Sequence, residues 1–403
     1  MIKLFLIDYT LIFSVGQAPM KGALCMVYLD HAATTPIPAA VADEMYAVLK
    51  SQFGNPSAQY PMGLEMKKRV ESWRAVVAGA LGCRPGELYF TSCGTEGDAW
   101  AIHAACWQNR RVGKHIVTTA VEHSAVLESC RWMAQEGWEV TYVAPEPGTG
   151  RISAQAVLDA VRPDTALVSC MLVNNELGCV YPIAEIAHGL SAKNPKTLLH
   201  TDAVQGFMKV PFTPKSLGAD FITISAHKIG GPKGIGGLYI GPRVRNPRPL
   251  LPGGGQENGL RSGTEATAQI AGFAKAVELR QAFLKEHPHH LEEIRDYARK
   301  TLSQLPDVLL IGQGDAPHIL SLSMVGWPSQ NMVNDLGSQG ICISAGSACH
   351  KGKPSHVVAA LKLPKKTAGS VIRLSFGPET TTADIDACAD ALKRHHDTRM
   401  PML

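Results

Sequence analysis

A chain of 403 residues exceeds the roughly 250–300 residues at which one hydrophobic core stops growing, so a large and a smaller lobe are expected. With 45% hydrophobic and 18% charged residues, 38 Gly and 26 Pro, the composition excludes a disordered or fibrous chain, and a net charge of +4 from scattered basic residues offers no nucleic-acid groove. Ten cysteines without a CxxC pair exclude a zinc ribbon or secreted disulfide framework and fit a reducing, cytoplasmic setting; no metal-ligand spacing is present.

The first 25 residues carry an apolar run broken by Asp8 and lack a convincing cleavage site, so an untranslated leader or an added edge strand is preferred to a signal peptide. No later stretch is long and apolar enough to span a membrane. Amphipathic patterns predict helices over 37–50 and 64–81, then a strand LYFTS ending at Ser92 and a helix over 96–107. Strands follow at HIVTT (115–119), EVTYV (139–143), ALVSCML (166–172), TLLHT (197–201) and FITIS (221–225). Compact apolar strands separated by helical segments imply a largely parallel, helix-covered sheet, with ligands at the carboxyl ends of its strands. Beyond the turn-rich stretch 251–263, long helices over 266–285 and 291–304 lead to strands HILSLSM, GICIS and VIRLSF and a helix from Thr382, a second α/β lobe.

Several strand ends nominate one site. Lys228 in SAHKIGGPKGIGG stands three residues past FITIS, where desolvation would make its amine a Schiff-base nucleophile. The alternative is a solvated loop lysine. Asp202 follows TLLHT and could hold a protonated pyridine nitrogen, with Gln205 three residues on as a donor to a ring oxygen; an Asp there is otherwise a helix cap. Gly94 and Thr95 open a helix after LYFTS and could cradle a phosphate, aided by Ser225 and His227. His123, after HIVTT, could stack on a ring and shuttle protons.

In the smaller lobe, Cys349 lies in SAGSACHKGKPSH, a small-residue stretch between a short strand and a helix, with His350, Lys351 and Lys353 as sources of positive charge for a thiolate. The other nine cysteines read as packed small hydrophobes. Arg373 in VIRLSFG could clamp a carboxylate, or make a structural salt bridge.

From about Tyr28 onward the chain resembles one family through ten ordered motifs. These are YLDHAATTP (28–36), FGNPSA (53–58), FTSCGTE (90–96), VEHSAV (121–126), NNELG (174–178), HTDAVQ (200–205), SAHKIGGPKG (225–234), GGGQENGLRSGT (253–264), SAGSACH (344–350) and IRLSFG (372–377). They resemble the pyridoxal 5'-phosphate (PLP) cysteine desulfurases of the NifS/IscS type, in the class-V aminotransferase group of fold-type I. The resemblance implies an aspartate-aminotransferase-like α/β fold with a mostly parallel seven-stranded sheet. Residues 37–265 would form the large PLP-binding domain, and 26–36 with 266–403 a small domain carrying the cysteine loop.

It further implies Lys228 as the cofactor lysine, Asp202 on the pyridine nitrogen, Gln205 on the phenolate oxygen and His123 over the ring. Thr95, Ser225 and His227 would hold the phosphate, and Thr264 would reach the phosphate of a neighbouring subunit in a homodimer. Asn175 and Arg373 would contact the ring edge and the substrate carboxylate. The activity implied is conversion of L-cysteine to L-alanine, with sulfur passed to Cys349 as a persulfide and on to an acceptor in iron-sulfur assembly or tRNA thiolation, with no direct nucleic-acid or membrane contact. Selenocysteine lyase is the nearest alternative; an aminotransferase or a catalytically silent sulfur-trafficking adaptor is more distant.

Overall fold

A computed structural model describes residues 26–345, 355–398 and 400. A short strand β1 (Val27–Tyr28) precedes helices α1 (Ala39–Ser51) and α2 (Pro61–Leu81). The alternating part then runs β2 (Leu88–Thr91), α3 (Gly94–Asn109), β3 (His115–Thr119), α4 (Ser124–Gln135), β4 (Glu139–Val143) and α5 (Ala154–Asp159). It continues with β5 (Thr165–Ser169), α6 (Ile183–Lys193), β6 (Leu198–Asp202), α7 (Pro214–Leu217), β7 (Phe221–Ser225) and β8 (Gly236–Ile240). Helices α8 (Thr267–Glu286) and α9 (His290–Leu302) lead to β9 (Val308–Ile311), β10 (Ile319–Met324), α10 (Ser329–Ser338), β11 (Ile341–Cys342) and β12 (Ser344–Ala345). After residue 354 come α11 (His356–Ala360), α12 (Lys365–Ala368), β13 (Val371–Ser375) and α13 (Thr382–Thr398).

The large sheet has seven strands in the order β2-β8-β7-β6-β5-β3-β4. All run parallel except β8, which is antiparallel to both of its neighbours, β2 and β7. Successive residues of its strands face opposite layers, as a period of two requires. Ile116, Leu167, Leu198 and Phe221 pack with Trp100 of α3 and Val126 of α4 on one side. Val117, Val168, Leu199 and Ile222 join Val70, Val77 and Phe273 of α2 and α8 on the other. Each such buried aliphatic side chain contributes about 1.5–3 kcal/mol. Strands buried on both faces explain why the sequence reads as solid apolar runs rather than alternation.

A second core gathers Leu29, Leu291, Leu320, Ile372 and Leu392 around the four-stranded sheet β12-β13-β10-β9. β1 pairs with β11 in parallel, Val27 opposite Ile341, so the start of the described chain is stitched to this part. Residues 30–38 then cross to the large sheet. Two expected strands are shorter than read: ALVSCML leaves the sheet after Ser169, and GICIS divides into β11 and β12, which belong to different sheets.

Candidate active site

All the parallel strands of the large sheet end on one side, and five of them deliver residues to a single cavity of about 520 Å³. Gly94 and Thr95 arrive after β2, His123 after β3, Asn175 after β5, Asp202 and Gln205 from β6, and Ser225, His227 and Lys228 from β7. Arg373 reaches the same wall from β13. Of the residues nominated by the sequence, Thr264 is exposed and outside this lining, and Cys349 lies outside the described residues. The residues flanking the segment that carries Cys349, Ala345 and Ser355, both line the cavity.

Lys228 closes a 3-10 turn, Ala226–Lys228, directly after β7. Its Nζ donates to the carbonyls of Ala32 and Ala33, each at 2.7 Å. Burial, with Arg373 second, pushes the ammonium down to about 8, while Asp202 and Asp30 oppose the shift. An amine that releases its proton near neutrality is able to act as a nucleophile there.

Asp202 is buried at the end of β6, with the Val204 N–H at 2.9 Å on its Oδ1. Burial and a second buried acid, Asp98 of α3, raise its carboxyl to about 7. Burial likewise raises Asp98 to about 7. The ligand atoms of Asp98, His123 and Asp202 lie within 4.8 Å of one another, so two acids and an imidazole face one spot. His123 caps α4: its Nδ1 accepts the Ala125 N–H at 3.2 Å, so the neutral ring carries its proton on Nε2. Gln205 donates to the Ala32 carbonyl at 2.8 Å.

At the opposite end, α3 begins with free backbone amides at Gly94 and Thr95, and the helix dipole makes this end positive. A side chain on Gly94 would meet Val204 Cγ2 at 2.9 Å, so glycine keeps the cradle open. The Ser225 hydroxyl, buried on the wall, has no hydrogen-bond partner among the described residues. His227 is held neutral: burial, reinforced by Lys228, pushes its imidazole down to about 4. The start of β8 is equally tight, since a Cβ on Gly236 would meet the Ile224 carbonyl at 2.8 Å.

Arg373 is ion-paired with Asp30 at 2.6 Å and donates to the Asn175 carbonyl at 2.7 Å. The salt bridge weighed as an alternative to a substrate clamp is therefore present. Its Nε is buried without a partner, so the fork retains donors for a second carboxylate. The sequence reading missed Asp98, Cys93, Glu176 and His356, which also line the cavity. Glu176 accepts from Ser355, and His356 Nε2 bonds the Glu122 carbonyl at 2.8 Å, which fixes the chain where it re-enters after 354. For Asp98 the signal was its place one turn into the helix that opens with Gly94.

Residues 27–388 match the model of the class-V aminotransferase family. The chain belongs to that family. Among its curated relatives, a protein named cysteine desulfurase IscS from Clostridium botulinum is 38% identical over 377 residues, covering 91% of this chain and 94% of its own. A second IscS, from Acinetobacter baumannii, is 40% identical and covers 89% of this chain and 90% of its own. Among solved structures, a NifS-like protein superposes with a TM-score of 0.86 at 34% identity, covering 93% of this chain and all of its own. The seven-stranded sheet and second lobe thus place this class-V member in the fold-type I architecture.

Proposed function

We propose that this protein is a PLP-dependent cysteine desulfurase that converts L-cysteine to L-alanine and transfers the sulfur to Cys349 as a persulfide. The observation that carries the reading is the meeting of Lys228, with its lowered amine, and the buried Asp202 in one cavity beside an anion cradle. The structure of SspA in complex with cysteine, 30% identical with a TM-score of 0.74 over 88% of this chain, supports the substrate.

The residues fit the cofactor. The orphaned Ser225 hydroxyl and the free amides of Gly94 and Thr95 suit a phosphate, with Thr95 and His227 adding donors. PLP bound at Lys228 supplies an electron sink for the substrate's α-carbon. Asp202 would hold a proton on the ring nitrogen, with Gln205 a donor for the ring oxygen and Asn175 for the ring edge. His123 would hold the ring and move protons through Nε2. Arg373, with its spare Nε–H, orients the substrate carboxylate. As the substrate's C–S bond breaks, an S–S bond forms on Cys349. Cys349 is four steps along the chain from Ala345 on the cavity wall, a span of at most about 14 Å.

A homodimer completes the reading, with Thr264 reaching the partner's phosphate. Tyr46, Leu49, Phe53, Tyr60, Met62 and Leu64 are exposed together between the middle of α1 and the start of α2, an apolar surface suited to a second copy. We divide the chain into a cofactor domain of 37–265 and a small domain of 26–36 with 266–403, and place it in the cytoplasm, where the eight described free thiols persist. The acceptor is an iron-sulfur scaffold or a tRNA-thiolation enzyme.

The test is to load the protein with PLP, add L-cysteine and a thiol reductant, and measure alanine and sulfide. Wild type forms both; Lys228→Ala and Cys349→Ser form neither. Equal sulfide from Cys349→Ser would overturn the persulfide role, and failure to take up PLP would overturn the whole reading.

A further inference from the structure

Behind Lys228, on the side away from the cavity just described, lies a second cavity of about 480 Å³. Helix α8 supplies one wall from Ala276, Leu279, Arg280 and Phe283, the i, i+3, i+4, i+7 set that shares a helix face. The facing wall is built from His31 to Pro38 and from Phe376 to Glu379. Most of this lining is apolar, yet Lys209 and Arg280 both open onto it.

Of these two basic groups, Arg280 is opposed by burial and favoured by Glu379 at the rim, while no acid acts on Lys209 among its main neighbours. Arg280 is 5% exposed, its Nε donates to the Met208 carbonyl at 3.2 Å, and its guanidinium stands 5.4 Å from the Phe283 ring. Lys209 donates to Gln205 Oε1 at 3.0 Å. Neither belongs to an ion pair among the described residues. The charges facing Lys209 are Lys228, Arg280 and Arg373, all positive, and burial with these neighbours pushes its ammonium well down. His31, 1% exposed and on the same wall, has no hydrogen bond at either ring nitrogen. The carboxylate at the rim, Glu379, is more than half exposed and lies 3.7 Å from His31 Nε2. Buried charges and polar groups left without partners are costly, and proteins pair them. No carboxylate among the described residues forms a salt bridge with Lys209 or Arg280, which leaves the cavity between them open to an added anion.

We propose that this cavity binds a small organic monocarboxylate. Its carboxylate sits between Lys209 and Arg280, and its apolar body lies against Leu279, Phe283 and Phe376. A guanidinium fork donates to two carboxylate oxygens at once, whereas the remaining walls offer few donors to a more highly charged anion. The ligand's charge is relayed toward the first cavity through Lys209 and Gln205, and Lys228 borders both. Binding itself stands or falls independently of the desulfurase reading.

The probe is sodium hexanoate, titrated calorimetrically into the PLP-loaded protein at constant ionic strength. One site per chain is expected, weakened at least about tenfold in Arg280→Met, which removes the charge-assisted pair. Glu379→Gln, at an exposed position, removes a competing carboxylate and tightens binding about twofold. No binding at tens of millimolar hexanoate, equal affinity in Arg280→Met, or equal competition by inorganic phosphate overturns the proposal. If Arg280→Met fails to fold, Glu379→Gln decides alone: unchanged or weaker affinity overturns it.

Discussion

Lys228 meets its cofactor as an amine that loses its proton near pH 8, against 10.5 for an ordinary lysine. The sign of the consequence is fixed. Below about 8 the ammonium dominates and cannot attack a carbonyl carbon; above it the free amine does. PLP uptake by the apo protein, followed by its absorbance, is therefore expected to quicken with rising pH through about 8 and then level off. A rate still climbing toward 10 would mean an unperturbed lysine. The identity of this lysine was legible because the strand end and the glycine turn are written in the chain. Its environment was not. Asp98, with a carboxyl raised to about 7, and Glu122, raised to about 8, are acids whose burial comes from helices packing over the sheet, and no local pattern announces that. Lys209 was passed over for the same reason.

Among the elements, the turn-rich stretch after β8 is held by one buried pair. Arg74 of α2 grips both oxygens of Glu257 at 2.7 and 2.8 Å, and the same carboxylate accepts the Phe90 N–H at 2.9 Å on β2. Arg261 adds a bond to Glu96 on α3 at 2.9 Å. Glu257→Ala would leave the buried guanidinium only the exposed Glu71 at 3.3 Å and the Leu88 carbonyl, so urea denaturation should register a loss of about 3–5 kcal/mol. A loss below about 1 kcal/mol, the range of an exposed pair, would mean that water reaches Arg74. Element reading from sequence succeeded where strands are buried on both faces. It missed β8, because GGLYI begins with two glycines and reads as the end of a turn. The overrun at ALVSCML has a matching cause, since Cys170, Met171 and Leu172 remain buried after leaving the sheet.

At the scale of the whole molecule, the proposed dimer draws on two features: Leu49 and Phe53 are exposed, and Thr264 stands apart from its own chain's cavity. If the surface is a dimer face, the double variant Leu49→Asp, Phe53→Asp should sediment as a monomer and hold PLP at least about tenfold more weakly, for want of the partner's Thr264. A variant that stays dimeric would point to a different face. The second, four-stranded sheet was legible from length and from the change of pattern after the turn-rich stretch 251–263. Its joinery was not, because contacts such as Asp30 to Arg373 span most of the chain.

Part of that joinery is a strap formed by the first described residues, beside contacts such as Arg373 to the Asn175 carbonyl and His356 to the Glu122 carbonyl. Within residues 30–35, Asp30 holds Arg373, the Ala32 carbonyl accepts from both Gln205 and Lys228, the Ala33 carbonyl accepts from Lys228, and Thr35 bonds the backbone at His227. The same amine that must bond the cofactor is thus also a knot between two sheets. An imine at this nitrogen would leave it at most one proton, so the separate bonds to Ala32 and Ala33 could not both be kept, and Ala33 has no other donor among the described residues. The nitrogen that would hold the cofactor is thus the one that anchors the strap.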